Sequence, residues 1–66
     1  MESELEIAAR QVREAEDQIA QQRELIADME RCGLTHAAKI ALAKLETLES
    51  ALGAYRARLE RLRHAR

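Results

Sequence analysis

Met29-Glu30-Arg31-Cys32-Gly33-Leu34-Thr35-His36 is the one strong break in a chain of 66 residues, and it falls at the midpoint. Gly33 suits the left-handed residue just past a helix end, because it has no Cβ to clash there. Leu34 is placed to touch Met29, the apolar contact that accompanies a Schellman ending. Thr35 can cap the next helix with its hydroxyl. The break predicts a helix on each side, over about 3–31 and 36–64, joined by a turn at 32–35. Ser3 and Glu6 form an S-x-x-E capping box at the front. Glu2, Glu4 and Glu6 favour a helix start, and the late arginines favour a helix end. Gly53 has no capping residue after it and is read as a glycine tolerated inside helix two.

Outward from the turn, the apolar residues keep one period. In helix one, Leu5, Ala8, Val12, Ala15, Ile19, Gln22, Ile26 and Met29 step alternately by three and four. In helix two, Ala38, Ala41, Leu45, Leu48, Leu52, Tyr55, Leu59 and Leu62 do the same. A seam sustained over four heptads on each side argues for coiled-coil packing. The short turn makes the helices antiparallel. The expected fold is therefore all-α: a single domain over 1–66, an antiparallel two-helix coiled-coil hairpin. Folding at Gly33 pairs seam residues whose numbers add to 67, from Met29 with Ala38 out to Leu5 with Leu62. Several layers set alanine against a larger residue, which lets helix axes approach closely. Gln22 is the polar exception. It either finds a partner and fixes register, or turns its amide out to water.

Composition agrees with this plan and removes several functions. Ala, Glu, Lys, Leu and Arg dominate, with no Pro, Phe or Trp, as in long helices and coiled coils. The net charge of −1 gives no long-range pull toward nucleic acid. No apolar run reaches the ~18 residues that a membrane span needs, and no secretory leader pattern is present. A single cysteine, Cys32, excludes an internal disulfide and fits a reducing compartment, so a cytoplasmic setting is expected. Residues 1–31 hold nine acids and four bases, whereas 35–66 hold three acids and seven bases. Antiparallel folding lays the acidic helix along the basic one and cancels most of both.

No constellation of residues carries catalysis, so no enzyme activity, cofactor or metal is expected. Glu14, Glu16 and Asp17 cluster on the outside, where carboxylates stay solvated and ionised. Two copies of Cys32 and His36 could in principle build a tetrahedral site at abutting turns, but Cys32 belongs to the turn and His36 to a helix face. Neither histidine has the Glu-x-x-His spacing of di-iron bundles. The most basic stretch, Tyr55 to Arg66, places Arg56, Arg63 and Arg66 on one side and Arg58 and Arg61 on the other, as a solvated rim.

What remains points to association. Leu25 and Leu42 flank the seam near the turn, and Ile40 lies off it. These three are the candidate oligomer or partner interface. The register also sets Glu16 opposite Glu49, a like-charge pair that a self-sufficient coil avoids. Two hairpins packed as a four-helix bundle would cover the apolar flanks. The expected function is a self-associating protein–protein interaction module with a structural or adaptor role. Its partner is a second copy or another helical protein.

The strings Gln21-Gln22-Arg23-Glu24-Leu25-Ile26, Gly33-x-Thr35-x-x-Ala38-x-x-Ala41-Leu42-x-x-Leu45 and Leu52-x-x-Tyr55-x-x-Arg58-Leu59 carry a likeness. They resemble short alphaproteobacterial helical-hairpin proteins of unknown function, over roughly residues 10–62. The resemblance implies a hairpin fold and a bacterial cytoplasm, and no activity. In architecture alone the chain is also similar to Rop-like hairpins, which dimerise and bind RNA. That likeness implies the alternative reading, a small regulator holding RNA or DNA through Arg56, Arg58, Arg61 and Arg63.

Overall fold

Two helices account for nearly all of the chain in the computed structural model, which describes residues 1–65. α1 spans Glu4–Arg31 and α2 spans Thr35–His64, and the two pack against each other. No strand occurs among the described residues. Ser3 stands just outside α1 with extended backbone, as a capping residue must. Its hydroxyl accepts the Glu6 backbone N–H at 3.1 Å, and its own N–H donates to the Glu6 carboxylate at 3.1 Å. The backbone N–H of Ser3, with help from its hydroxyl, holds the Glu6 carboxyl below the usual glutamate range.

The turn is a complete Schellman closure. Gly33 takes φ +72°, the Leu34 N–H donates to the Met29 carbonyl at 2.8 Å, and the Gly33 N–H donates to the Glu30 carbonyl at 3.1 Å. Thr35 differs from the expectation: it is the first residue of α2, not its cap. Leu34 takes the capping position with no side-chain bond, and its carbonyl already accepts the Ala38 N–H at 2.9 Å. The second helix therefore starts directly from the closure. The threonine hydroxyl is carried one position past the place from which it could cap. The turn is 32–34, a residue shorter than expected. α2 runs through Gly53 without interruption.

The buried residues are Ala8, Ala15, Ile19, Gln22, Ala38, Ala41, Leu45, Leu52 and Leu59, and every one lies on the seam. Ala15, Ile19, Leu45 and Leu52 form the central cluster, with Val12, Ile26, Leu48 and Tyr55 half-buried around it. Met29 and Leu62 are half-buried too. Leu5 differs: it is 38% exposed. It sits in the first turn of α1, at the open end of the hairpin, where no further layer covers it. Among the described residues, no large side chain is fully buried. The molecule measures 51 × 19 × 13 Å, and its radius of gyration of 15.2 Å exceeds the ~11 Å of a compact chain of this length.

Gln22 turns inward. Its side-chain N–H donates to the Ala41 carbonyl at 2.9 Å, in a buried setting. Helix carbonyls point toward the C-terminus, so the Ala41 oxygen lies beside Leu45, the residue that the register sets opposite Gln22.

Candidate functional site

The flanks of the seam carry the charge and the uncovered apolar surface. Among the interface candidates, Ile40 is 61% exposed, Leu42 47% and Leu25 45%. They do not share one surface. Residues two apart in a helix point about 200° apart, so Ile40 and Leu42 lie on nearly opposite sides of α2. Leu42 lines an open groove with Ile26, Thr35 and Ala38. Leu25 lines a different groove with Gln18, Gln22 and Leu48. Ile40 falls on the Leu25 side, because Lys44, one turn beyond it, lines that same groove. The hairpin thus has two unlike flanks, one marked by Leu42 and the other by Leu25 and Ile40.

Among the described residues, both interhelical ion pairs lie on the Leu42 flank. Arg23 meets Glu49 at 2.9 Å, and Arg56 meets Glu16 at 3.0 Å. The expected repulsion between Glu16 and Glu49 is therefore absent: each has an arginine instead. Glu49 and Arg56 stand one turn either side of the Leu52 layer, so both are within reach of Glu16, and the longer arginine closes the gap. All four charged residues line a single open groove with Ile19, Leu52 and Gly53. Sequence reasoning missed this groove. Its one signal was Gly53 seated between Glu49 and Arg56, within a turn of each.

The C-terminal arginines are largely engaged inside the hairpin. Arg56 pairs with Glu16, Arg58 donates to the Gln11 side-chain carbonyl at 3.4 Å, and Arg63 meets Glu60 at 3.3 Å. Arg61 is exposed, and Arg66 lies outside the described residues. Arg56 and Arg63 share a groove with Val12 and Leu59 on the Leu42 flank. Arg58 reaches the opposite flank, so Arg56, Arg58 and Arg63 form no single basic stripe. Near the turn, Arg31 pairs with Asp28, and Arg10 in α1 reaches both Glu2 and Glu14.

Cys32 is exposed. Among the described residues, no three of His, Cys, Asp and Glu converge on a point where they could hold a metal ion. No helix among them is long and apolar enough to cross a membrane. No protein-family model, curated protein or solved structure matches this chain. The functional reading therefore rests on the hairpin's own surfaces.

Proposed function

We propose that this protein is a self-associating protein–protein interaction module. Two hairpins pack as a four-helix bundle in a structural or adaptor role, in the bacterial cytoplasm that the resemblance implies. One observation carries the reading: the hairpin leaves too much surface wet. A compact monomer of 7.5 kDa exposes about 4,200 Å². This chain exposes 5084 Å². The surplus is about the ~800 Å² that each partner buries in an interface of ordinary size. Leu42 on one flank, at 47% exposure, and Leu25 and Ile40 on the other, at 45% and 61%, supply apolar surface, and such packing would cover one of these flanks. The isolated pair of helices is also poor in core, since four of the nine buried residues among those described are alanines.

Sedimentation velocity over a wide concentration range tests the proposal, with helicity followed in parallel. A dimer is expected whose melting temperature rises with concentration, as mass action requires. A folded monomer at every concentration would refute self-association.

A further inference from the structure

The ion pairs Arg23–Glu49 and Glu16–Arg56 frame one open groove of about 410 Å³, with Ile19, Leu52 and Gly53 between them. We propose that a second copy of the chain docks in this groove, related by a twofold axis along the hairpin's length. Both turns then lie at one end, and each α1 covers the other copy's α2. The inference rests on the self-association proposed above, and adds which flank is used and in what orientation.

Charge carries the argument. Seen from the groove with the turn uppermost, Arg23 lies above Glu16 on α1, and Glu49 lies above Arg56 on α2. The signs alternate along each helix and oppose each other across the groove. A copy turned by half a revolution about the long axis brings its α2 over α1 at matching height. Glu16 then faces the second copy's Arg56, and Arg23 faces its Glu49. A copy with its turn at the opposite end also meets opposite signs at these four corners, but it lays α1 on α1. Residues 1–31 hold nine acids against four bases, so that arrangement stacks two acidic helices. The arrangement with turns together sets acidic helix on basic helix throughout.

Gly53 supplies independent support. Glycine is the poorest helix former after proline, yet beyond its chain neighbours and its own helix backbone nothing lies within 4 Å of where its Cβ would be. Packing between α1 and α2 therefore does not require glycine there. Close approach of a second backbone to the groove does. Leu42 precedes Glu49 by one heptad on the same flank and continues the apolar surface with Ile26 and Ala38, so the same docking covers it.

Three variants test this by sedimentation, with circular dichroism to verify the fold. Gly53→Leu adds a side chain on the groove, at a position whose Cβ has nothing within 4 Å beyond its chain neighbours and its own helix backbone. The dimer dissociation constant is expected to rise by about tenfold or more, as for overpacking a tight contact, with helicity retained. Leu25→Asp, on the opposite flank, is expected to leave the constant nearly unchanged. The double swap E16R/R56E preserves both pairs within the hairpin. It also keeps opposite signs facing in the turns-together dimer, so association is expected to persist. In the turns-opposite dimer the same swap puts like charges face to face. The proposal is overturned if Gly53→Leu dimerises as the parent does, if Leu25→Asp alone abolishes the dimer, or if the double swap abolishes it. Each of those results leaves self-association standing. A parent chain that never dimerises removes that broader reading instead.

Discussion

Replacing Gln22 by leucine should make the protein more stable, although it deletes a buried hydrogen bond. Gln22 is 8% exposed, and its side-chain N–H donates to the Ala41 carbonyl at 2.9 Å. A neutral bond of this kind contributes about 1 kcal/mol net. Its loss strands no acceptor, because in a continuous helix that carbonyl also accepts the N–H four residues on. Against the loss stands a leucine in the seam, facing Leu45, worth roughly 1.5–3 kcal/mol when fully buried. The open edges of the seam reduce that gain to its lower end. A net gain of about 1 kcal/mol remains, which for a chain of this size raises the melting temperature by roughly 7 °C. Thermal melts of Gln22→Leu and Gln22→Ala at one fixed protein concentration provide the assay. The alanine variant loses both the bond and the packing and should melt below the parent. If Gln22→Leu melted lower by the same margin as Gln22→Ala, the bond would outweigh seam burial and the reasoning would fail. A gain in stability would leave specificity as the role of Gln22, since its amide meets the Ala41 carbonyl only when the helices are in this register.

The two glycines should respond in opposite directions to alanine. Gly33→Ala forces a side chain into φ +72° and should cost roughly 1–2 kcal/mol, with Gly33→Asn less harmful, as read from chemical denaturation midpoints. Gly53→Ala, at a helical position with open space, should stabilise the isolated hairpin by about 1 kcal/mol when measured at concentrations too low for association. Lowering the pH should loosen the start of α1. The Glu6 carboxyl is held below its ordinary range, so its contribution is complete above the unfolded value and disappears as pH falls through the folded one. Amide exchange at residues 4–7 should show this in the parent chain and not in Glu6→Gln. Leu45→Ala empties the layer opposite Gln22 and should cost about 2 kcal/mol, the low end for a core truncation because the seam is partly open. An unchanged denaturation midpoint would mean that the helices pair in another register.

The turn and the seam are legible in the sequence because they depend on local chemistry. Gly33 has one conformational role open to it, and a repeat of three and four admits one packing face. The start of α2 is less legible. A threonine after glycine reads as a cap, but whether it caps depends on whether the previous carbonyl has already entered the helix, as that of Leu34 has. The flanks are least legible. Pairing Glu16 with Glu49 treats charged residues as though they met squarely across the seam. Long side chains instead reach diagonally by a turn, and Arg56 and Arg23 take the two carboxylates. The division of Leu25 and Ile40 from Leu42 is in principle countable from helical angles. It becomes visible only once each residue is referred to the groove that it lines.

The alanines that make the hairpin also leave it incomplete. Ala8, Ala15, Ala38 and Ala41 are strong helix formers that let two helices approach, but each removes little apolar area from water. Ile19, Leu45, Leu52 and Leu59 are the large aliphatics in the buried set, and none of them is sealed completely. A layer 13 Å thick has no second side on which to bury more. Added stability must then come from a flank, and the two flanks offer different terms. Leu25 and Ile40 sit beside glutamines and a lysine, which accept many neighbours and reject few. The Gly53 groove is bordered by charges whose order penalises a copy shifted along the hairpin by one heptad. Such a shift sets Glu16 against the second copy's Glu49 and Arg56 against its Arg23. Discrimination of this kind arises from the cost of the wrong pairing more than from the gain of the right one. On that ground the charged flank, though less apolar, is the one suited to choosing a single partner.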